Sequence, residues 1–291
     1  MEIGLHVTLY SLLKNYSRKD ECIRIYLFYE NLSENDLSLL RATMNAAHAK
    51  YEFIPKPMKT GAFKQFPALP GSYMTYGRLI LADLLGDEDQ FLYLDSDLLV
   101  GRDINELLQI NLKNYPLGAV VDGGRIDSAL DKRFFFSRGF DAAEPYFNAG
   151  LLLFNAELWR HENLTKKCIA LCNDCHMELV SHDQTVLNYF FLRKVVHLDG
   201  AFNVSCYPTT GLMSEHSAGS QILHFKGSPK PWDAFGNILH VNYRHFKKYL
   251  DETAWPRGRK FDLRQLFRVI NLRRSYLRSL YVRVKMAPQK N

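Results

Sequence analysis

The chain has 291 residues, 47% of them hydrophobic and 23% charged, and carries a formal net charge of +6. That balance fits one globular domain with a substantial core and excludes a disordered or collagen-like chain. No stretch reaches the ~18 uninterrupted apolar residues of a membrane span. The charge is unevenly spread. From Arg257 to Asn291, eleven Lys and Arg face a single acid, Asp262, leaving about −4 on everything before.

At the start, Ile3, Val7, Tyr10 and Leu13 fit an amphipathic helix. A signal peptide is not expected, since a basic leader and a small-residue cleavage site are missing and His6 and Thr8 interrupt the apolar core. The expected compartment is the cytosol, where the acceptor-like triplets at Asn31, Asn163 and Asn203 carry no meaning. Residues 22–29 (CIRIYLFY) read as a strand, and Ser33 caps a helix to about Lys50. A short strand at 51–54, a loop at 55–70 and a helix at 73–85 follow. A further helix starts at Asp103 or Ile104 and ends near Tyr115-Pro116. Strands are expected at 117–121, 151–154, 194–198 and 221–225, and helices at 156–179 and 182–191. Alternating elements with apolar strands predict an α/β sheet with helices on both faces.

Cys168, Cys172 and Cys175 spell C-x3-C-x2-C, an iron–sulfur spacing, and Cys172 to His176 spells a haem-attachment string. The surrounding stretch reads as helix, where these offsets share one face and cysteine acts as a small hydrophobe. Core packing is the expectation. The odd count of five also argues against structural disulfides.

The chemistry centres on residues 90–100 (QFLYLDSDLLV). Phe91 to Leu94 read as a strand buried on both faces, ending abruptly in Asp95-Ser96-Asp97. In extended backbone, carboxylates two residues apart project to one side. Unpaired, they would repel and desolvate badly, and a divalent cation holding phosphate oxygens resolves the problem. The alternative is a pair of aspartates capping a turn.

Five stretches, in order, carry a resemblance over roughly residues 4–232. They are residues 73–79 (YMTYGRL), Asp95-Ser96-Asp97, residues 146–151 (YFNAGL), residues 182–185 (HDQT) and residues 224–232 (HFKGSPKPW). Together the string resembles glycosyltransferase family 8, retaining nucleotide-sugar enzymes that include bacterial lipopolysaccharide glucosyl- and galactosyltransferases. The resemblance implies a GT-A fold, that is, a mixed, mostly parallel sheet flanked by helices over residues 1–255. It implies that Asp95, Asp97 and His224 ligate a metal. Imidazole in that set favours Mn2+, with Mg2+ as the alternative. It implies a donor, UDP-glucose or UDP-galactose, held by Arg78, Asp95, Ser96, Asp97, Asp122, Asn148, Gly150, Gly227 and Lys230. Gly227 would let backbone approach the diphosphate, and Lys230 would bring positive charge to it.

The resemblance also implies that Gln184 lies near the anomeric carbon, with Asp183 orienting the donor sugar. An amide is a poor nucleophile, so a front-side route with Gln184 stabilising positive charge through its carbonyl oxygen is the expectation beside double displacement. Members of the family begin with a nucleotide-binding strand before the helix matching residues 4–15. That strand is expected to be missing here, through a late start or a real loss that would expose neighbouring strand edges.

Residues 256–291 form a basic, aromatic tail expected to be helical. A solvated helix and a nucleic-acid surface are alternatives; attachment to the anionic inner face of the cell membrane is preferred. The combined expectation is a metal-dependent retaining hexosyltransferase making an α-linkage on a glycan or glycolipid acceptor. Rivals are a catalytically impaired nucleotide-sugar-binding relic and a nucleic-acid binder whose affinity falls steeply with salt.

Overall fold

Stretches of three to seven residues rich in β-branched, aromatic and other apolar side chains set the strands. In the computed structural model, which describes residues 3–67, 72–121, 124–256 and 263–286, they are β1 (Ile23–Tyr29), β2 (Tyr51–Pro57), β3 (Gln90–Leu94), β4 (Leu98–Val100), β5 (Leu117–Val120), β6 (Leu151–Asn155), β7 (Val195–Leu198), β8 (Val204–Cys206) and β9 (Ile222–Phe225). The longer helices are α1 (Ile3–Asn15), α2 (Glu34–Asn45), α3 (Leu164–Cys175), α4 (Asp183–Phe191), α5 (Tyr243–Leu250), α6 (Leu263–Asn271) and α7 (Arg273–Met286).

The central sheet has the order β3–β6–β5–β7, with only β5 and β7 parallel. A second sheet, β4–β9–β8, pairs β9 antiparallel to β4 and parallel to β8, and β1 pairs with β2 in parallel. The architecture is thus the expected mixed α/β one, but among the described residues parallel and antiparallel ladders are equal in number, so the sheets are not mostly parallel. The cause lies before β6, which is entered from an irregular stretch instead of a long crossover helix and so runs against both neighbours.

Alternate residues of the central sheet feed two of the three cores among the described residues. Leu152, Phe154, Leu117 and Ala119 face one side with Trp159, α3 and α4, while Leu151, Val120, Leu92 and Leu94 face the other with α1 and α2. Cys168 and Cys172 are fully buried in the first core and Cys175 is half-buried, all as free thiols. Burial pushes the Cys172 thiol up to about 12. Among the described residues no ladder joins β1 to β3, and both strands are only half-buried.

Helix α1 covers the open edge of β4 with its polar face. Thr8 Oγ1 donates to the Leu98 carbonyl at 2.8 Å and accepts from its amide at 3.1 Å, Ser11 Oγ accepts from the Val100 amide, and Asn15 donates to the Val100 carbonyl. An edge otherwise free to recruit foreign strands is thereby satisfied. The interrupting polar residues of this helix are its docking groups.

Ser33 caps α2 with a reciprocal bond to Asp36. Two helical expectations shorten. The stretch 73–85 is a 3-10 helix (Met74–Ile80) followed by one α-turn (Leu81–Leu84), and 103–115 keeps only Asn105–Leu108 as α-helix. Gly77 packs so closely on Met58 that a Cβ would lie 2.7 Å from its sulfur, and the second helix ends at Leu108, with Lys113 beyond it in the left-handed region at φ 51°. Strands β4 and β8, three residues each, are too short to leave a periodic signal.

At the C-terminal end, α7 packs on residues 236–239. Tyr276 and Ser279 are buried there, and Arg283 Nε donates to the Ile238 carbonyl at 2.9 Å. On α6, Arg268 pairs with Asp233 at 3.1 Å. Among the described residues no helix is long and apolar enough to cross a membrane.

Candidate metal and donor-sugar site

Asp95, Ser96 and Asp97 form a turn between β3 and β4, not the extended backbone expected. The carboxylates converge all the same, because two ladders set their neighbours. The Asp95 amide donates to the Gly150 carbonyl at 2.8 Å, continuing the β3–β6 pairing, and the Phe225 amide donates to the Asp97 carbonyl at 3.0 Å, continuing β4–β9. Register then sets His224 opposite Leu98, the residue after Asp97. His224 Nε2 lies 3.2 Å from Asp97 Oδ1 and 3.7 Å from Asp95 Oδ2. One ligand atom from each of the three residues falls within 4.8 Å of the others.

Gly150 makes this approach possible. A Cβ there would lie 2.2 Å from His224 Cε1 and 2.9 Å from Asp95 Oδ2. Only a residue without a side chain lets the imidazole and carboxylate meet across the two sheets.

The carboxylates are compensated by buried cations. Arg78, 8% exposed, reaches Asp95 Oδ1 through Nη2 at 2.9 Å, lies 2.9 Å from Asp183 Oδ2 through Nε, and donates to the Ala149 carbonyl. Burial alone would lower its pKa; the carboxylates of Asp183 and Asp95 outweigh that and hold it charged. Asp183, 2% exposed, also accepts from Thr75 Oγ1. Its carboxyl is pushed up by burial, with Arg78 opposing. Tyr93 donates to Asp95 Oδ1 at 2.6 Å. Lys230 Nζ pairs with Asp97 Oδ2 at 2.6 Å and donates to the Phe225 carbonyl. Burial would raise the Asp97 pKa, but His224 and Lys230 hold it below the usual carboxylate range.

Gln184, in the first turn of α4, has its carbonyl oxygen already engaged. It accepts from Asn148 Nδ2 at 2.8 Å and from the Ala149 amide at 3.0 Å. The oxygen expected to face a developing positive charge therefore has two donors on its lone pairs.

The sequence profile described as Glycosyl transferase family 8 matches residues 3–236. The chain belongs to glycosyl transferase family 8. It is 33% identical over 177 residues to a lipopolysaccharide 1,3-galactosyltransferase of Salmonella typhimurium, a match covering 57% of this chain and 51% of that protein. The chain thus spans about half the length of that relative, and about a quarter of two streptococcal glycosyltransferases that it also matches. General stress protein A of Bacillus subtilis is 28% identical over 263 residues, covering 84% of this chain and 87% of that one. Among solved structures, galactosyltransferase LgtC in complex with donor and acceptor sugar analogues superposes with a TM-score of 0.70 at 24% identity, over 88% of this chain and 94% of that one. That likeness shows the fold, a GT-A arrangement.

In this family 8 chain the remaining expected residues are spread around the acidic cluster. Ser96 is partly exposed at the turn, with its carbonyl close enough to Gly4 that a Cβ there would come within 2.8 Å. Gly227 has φ +71°, a conformation that disfavours any side chain. Asp122 lies outside the described residues. Sequence reasoning missed Thr75 and Tyr93 as partners of the two acids. It also missed Asn203, read only as part of an irrelevant glycosylation triplet, although its place directly before β8 sets it beside His224.

The three ligand groups fit a divalent cation. The His224 Nδ1 is engaged by Asn203 Oδ1 at 3.0 Å, which leaves Nε2 facing the buried Asp97 Oδ1, an oxygen with no hydrogen-bond partner. Converging lone pairs of one imidazole and two carboxylates suit such an ion.

Proposed function

We propose that the chain transfers a hexose, glucose or galactose, from its UDP-sugar to a hydroxyl of a lipopolysaccharide-type or other surface glycan, with retention and an α-linkage. The observation that carries this reading is the convergence of Asp95, Asp97 and His224 within 4.8 Å beside Arg78 and Lys230. Those three residues would hold Mn2+, with Mg2+ as the weaker fit for a set that includes imidazole. When bound, the ion supplies Lewis-acid stabilisation of charge on the departing diphosphate.

The protein's own groups do the rest. Lys230, whose ammonium sits beside Asp97, would add electrostatic stabilisation where the leaving group gains charge. Arg78 keeps Asp95 oriented and ties it to Asp183, so that both acids hold one geometry on donor binding. Asn148, Gly150, Gly227 and Ser96 would line the donor; the same role for Asp122 rests on the family resemblance alone. Gln184 is an amide whose oxygen already accepts two bonds. That makes it a poorer nucleophile still, and the front-side route, in which the acceptor hydroxyl attacks beside the leaving phosphate, follows. Helices α6 and α7, in the basic tail (residues 256–291) that follows the 1–255 catalytic unit, attach the enzyme to an anionic membrane on the cytoplasmic side. Their outward Phe267, Ile270, Leu277, Tyr281 and Val284 would enter the headgroup region.

The test is UDP release from UDP-glucose and UDP-galactose, with and without Mn2+, for the wild type and Asp97→Asn. Turnover that needs Mn2+ and disappears in Asp97→Asn is expected, with one donor preferred. The absence of both turnover and donor binding, the latter followed by calorimetry, would sink the transferase reading and promote the binding relic.

A further inference from the structure

Gln184 and His224 sit on different elements, α4 and β9, and nothing in the chemistry described so far requires them to communicate. A continuous line of side chains nevertheless joins them. His224 Nδ1 contacts Asn203 Oδ1 at 3.0 Å, Asn203 Nδ2 contacts Asn148 Oδ1 at 3.1 Å, and Asn148 Nδ2 contacts Gln184 Oε1 at 2.8 Å. Gln184 Nε2 then contacts the Tyr146 hydroxyl at 3.2 Å, which contacts Asp131 Oδ2 at 2.9 Å. Asp131 and Asn203 are each 1% exposed.

The direction of every bond in this line is forced. Backbone amides only donate. The Ala149 amide at 3.0 Å from Gln184 Oε1 fixes that atom as oxygen, and the Gly150 amide at 3.0 Å from Asn148 Oδ1 does the same there. Asn148 must therefore offer its NH2 to Gln184, and Asn203 must offer its NH2 to Asn148. The remaining end of Asn203 is an oxygen, so His224 carries a proton on Nδ1, and in the neutral ring that leaves the lone pair on Nε2. At the other end, the Gln184 NH2 donates to Tyr146, whose hydroxyl donates to the acceptor-only carboxylate of Asp131. Each group donates to the next, from His224 to Asp131, with no reversal.

We infer that Asn203 is a positioning residue joining the metal ligand to the reaction-centre amide: it sets the His224 tautomer for metal binding and, through Asn148, holds Gln184 in register. The inference rests on the metal-dependent transferase reading above. Groups that hold the far nitrogen of a ligating histidine govern metal affinity by orienting the ring and fixing its proton. Here the same group also has a second client, because one amide serves two neighbours with opposite ends. An aspartate at 203 separates the two duties. It still accepts from His224 but cannot donate to Asn148, whereas leucine does neither.

Three measurements test this. In metal-free wild type, nitrogen-15 NMR of the His224 ring at a pH where it is neutral is expected to find the proton on Nδ1. Mn2+ binding followed by electron paramagnetic resonance is expected to weaken about 10- to 100-fold in Asn203→Leu and to hold or strengthen in Asn203→Asp. At saturating Mn2+, Asn203→Asp is expected to lose about tenfold or more in kcat with little change in donor KM, as for an interaction needed in the transition state. A purely structural Asn203 would move metal affinity and kcat together in both variants. A wild-type proton on Nε2, an Asn203→Asp variant that loses Mn2+ as Asn203→Leu does, or one that turns over like wild type overturns the inference. If Asn203→Leu fails to fold by circular dichroism, the wild-type spectrum and Asn203→Asp decide alone. A wild type that binds no Mn2+ and has no turnover refutes the transferase reading instead, and the tautomer still reports on the relay.

Discussion

The site around His224 and the outer face of α6 and α7 break the burial rule in opposite directions. Around His224, charged and amide groups are buried: Arg78, Asp183, Asn203 and His224 are all under 9% exposed. On the C-terminal helices, large apolar side chains are outside: Phe267 is 64% exposed and Val284 67%. Buried polar groups are tolerated only where each finds a partner, and the ion pairs and amide relay supply those partners nearly throughout. Exposed apolar groups are tolerated when isolated and are meaningful when they gather on one element. The difference teaches that the first region is preorganised by its own contacts, whereas the second presents apolar side chains that the described residues leave exposed.

Substitutions can break that preorganisation by degrees. The largest effect is expected from Gly150→Ala, whose methyl would intrude between His224 and Asp95. Displacement of about 1 Å at a reacting centre costs about a hundredfold or more, so the UDP-release rate should fall by at least that much and Mn2+ affinity should drop with it. Wild-type rates in this variant would mean that the three ligands do not act together.

Next comes Asp183→Ala, which leaves the Arg78 guanidinium short of a buried partner. Urea denaturation should report about 3 kcal/mol less stability; a change below 1 kcal/mol would show that Asp95 alone compensates Arg78.

A smaller effect should follow pH. Burial lowers both His6 and His240 to about 4. The unfolded chain takes up protons near the ordinary imidazole value while the folded chain refuses them until about 4. Their contribution is therefore complete above about pH 6.5 and is lost as pH falls towards 4. The shift from 6.5 to about 4 limits each imidazole to about 3 kcal/mol, and to less over the range measured. Thermal melting between pH 7 and 4.5 should show the decline, and His6→Gln should flatten part of it. A melting temperature that rises over this range would contradict buried, neutral histidines.

The smallest effect on stability belongs to the second region. Replacing Leu277, Tyr281 and Val284 by serine should change stability by less than about 0.5 kcal/mol each. The same triple variant should co-sediment several-fold less with vesicles rich in anionic lipid. Unchanged sedimentation would remove these side chains from the membrane surface and sharpen the contrast into a question of what else covers them.

Much of this was legible in the chain. The apolar run ending in Asp95-Ser96-Asp97, the cap at Ser33 and the buried cysteine face of α3 all follow from local pattern, because neighbours in sequence decide them. The helix at 73–85 is instead a 3-10 helix followed by one α-turn, with Gly77 packed against Met58, a contact that no local pattern announces. Strands β4 and β8 escaped notice because three residues carry no period.

What the sequence by itself determined was most of the longer elements, the family motifs and the identities of the candidate ligand residues, all of which depend on short stretches. Tertiary structure alone decided that Gly150 clears the way for His224, that Asn203 rather than a neighbour holds the imidazole, and that Arg78 bridges Asp95 to Asp183. Each of these contacts joins residues far apart in the chain, and their partners are chosen by strand register and by the desolvation of buried charge, neither of which leaves a local trace.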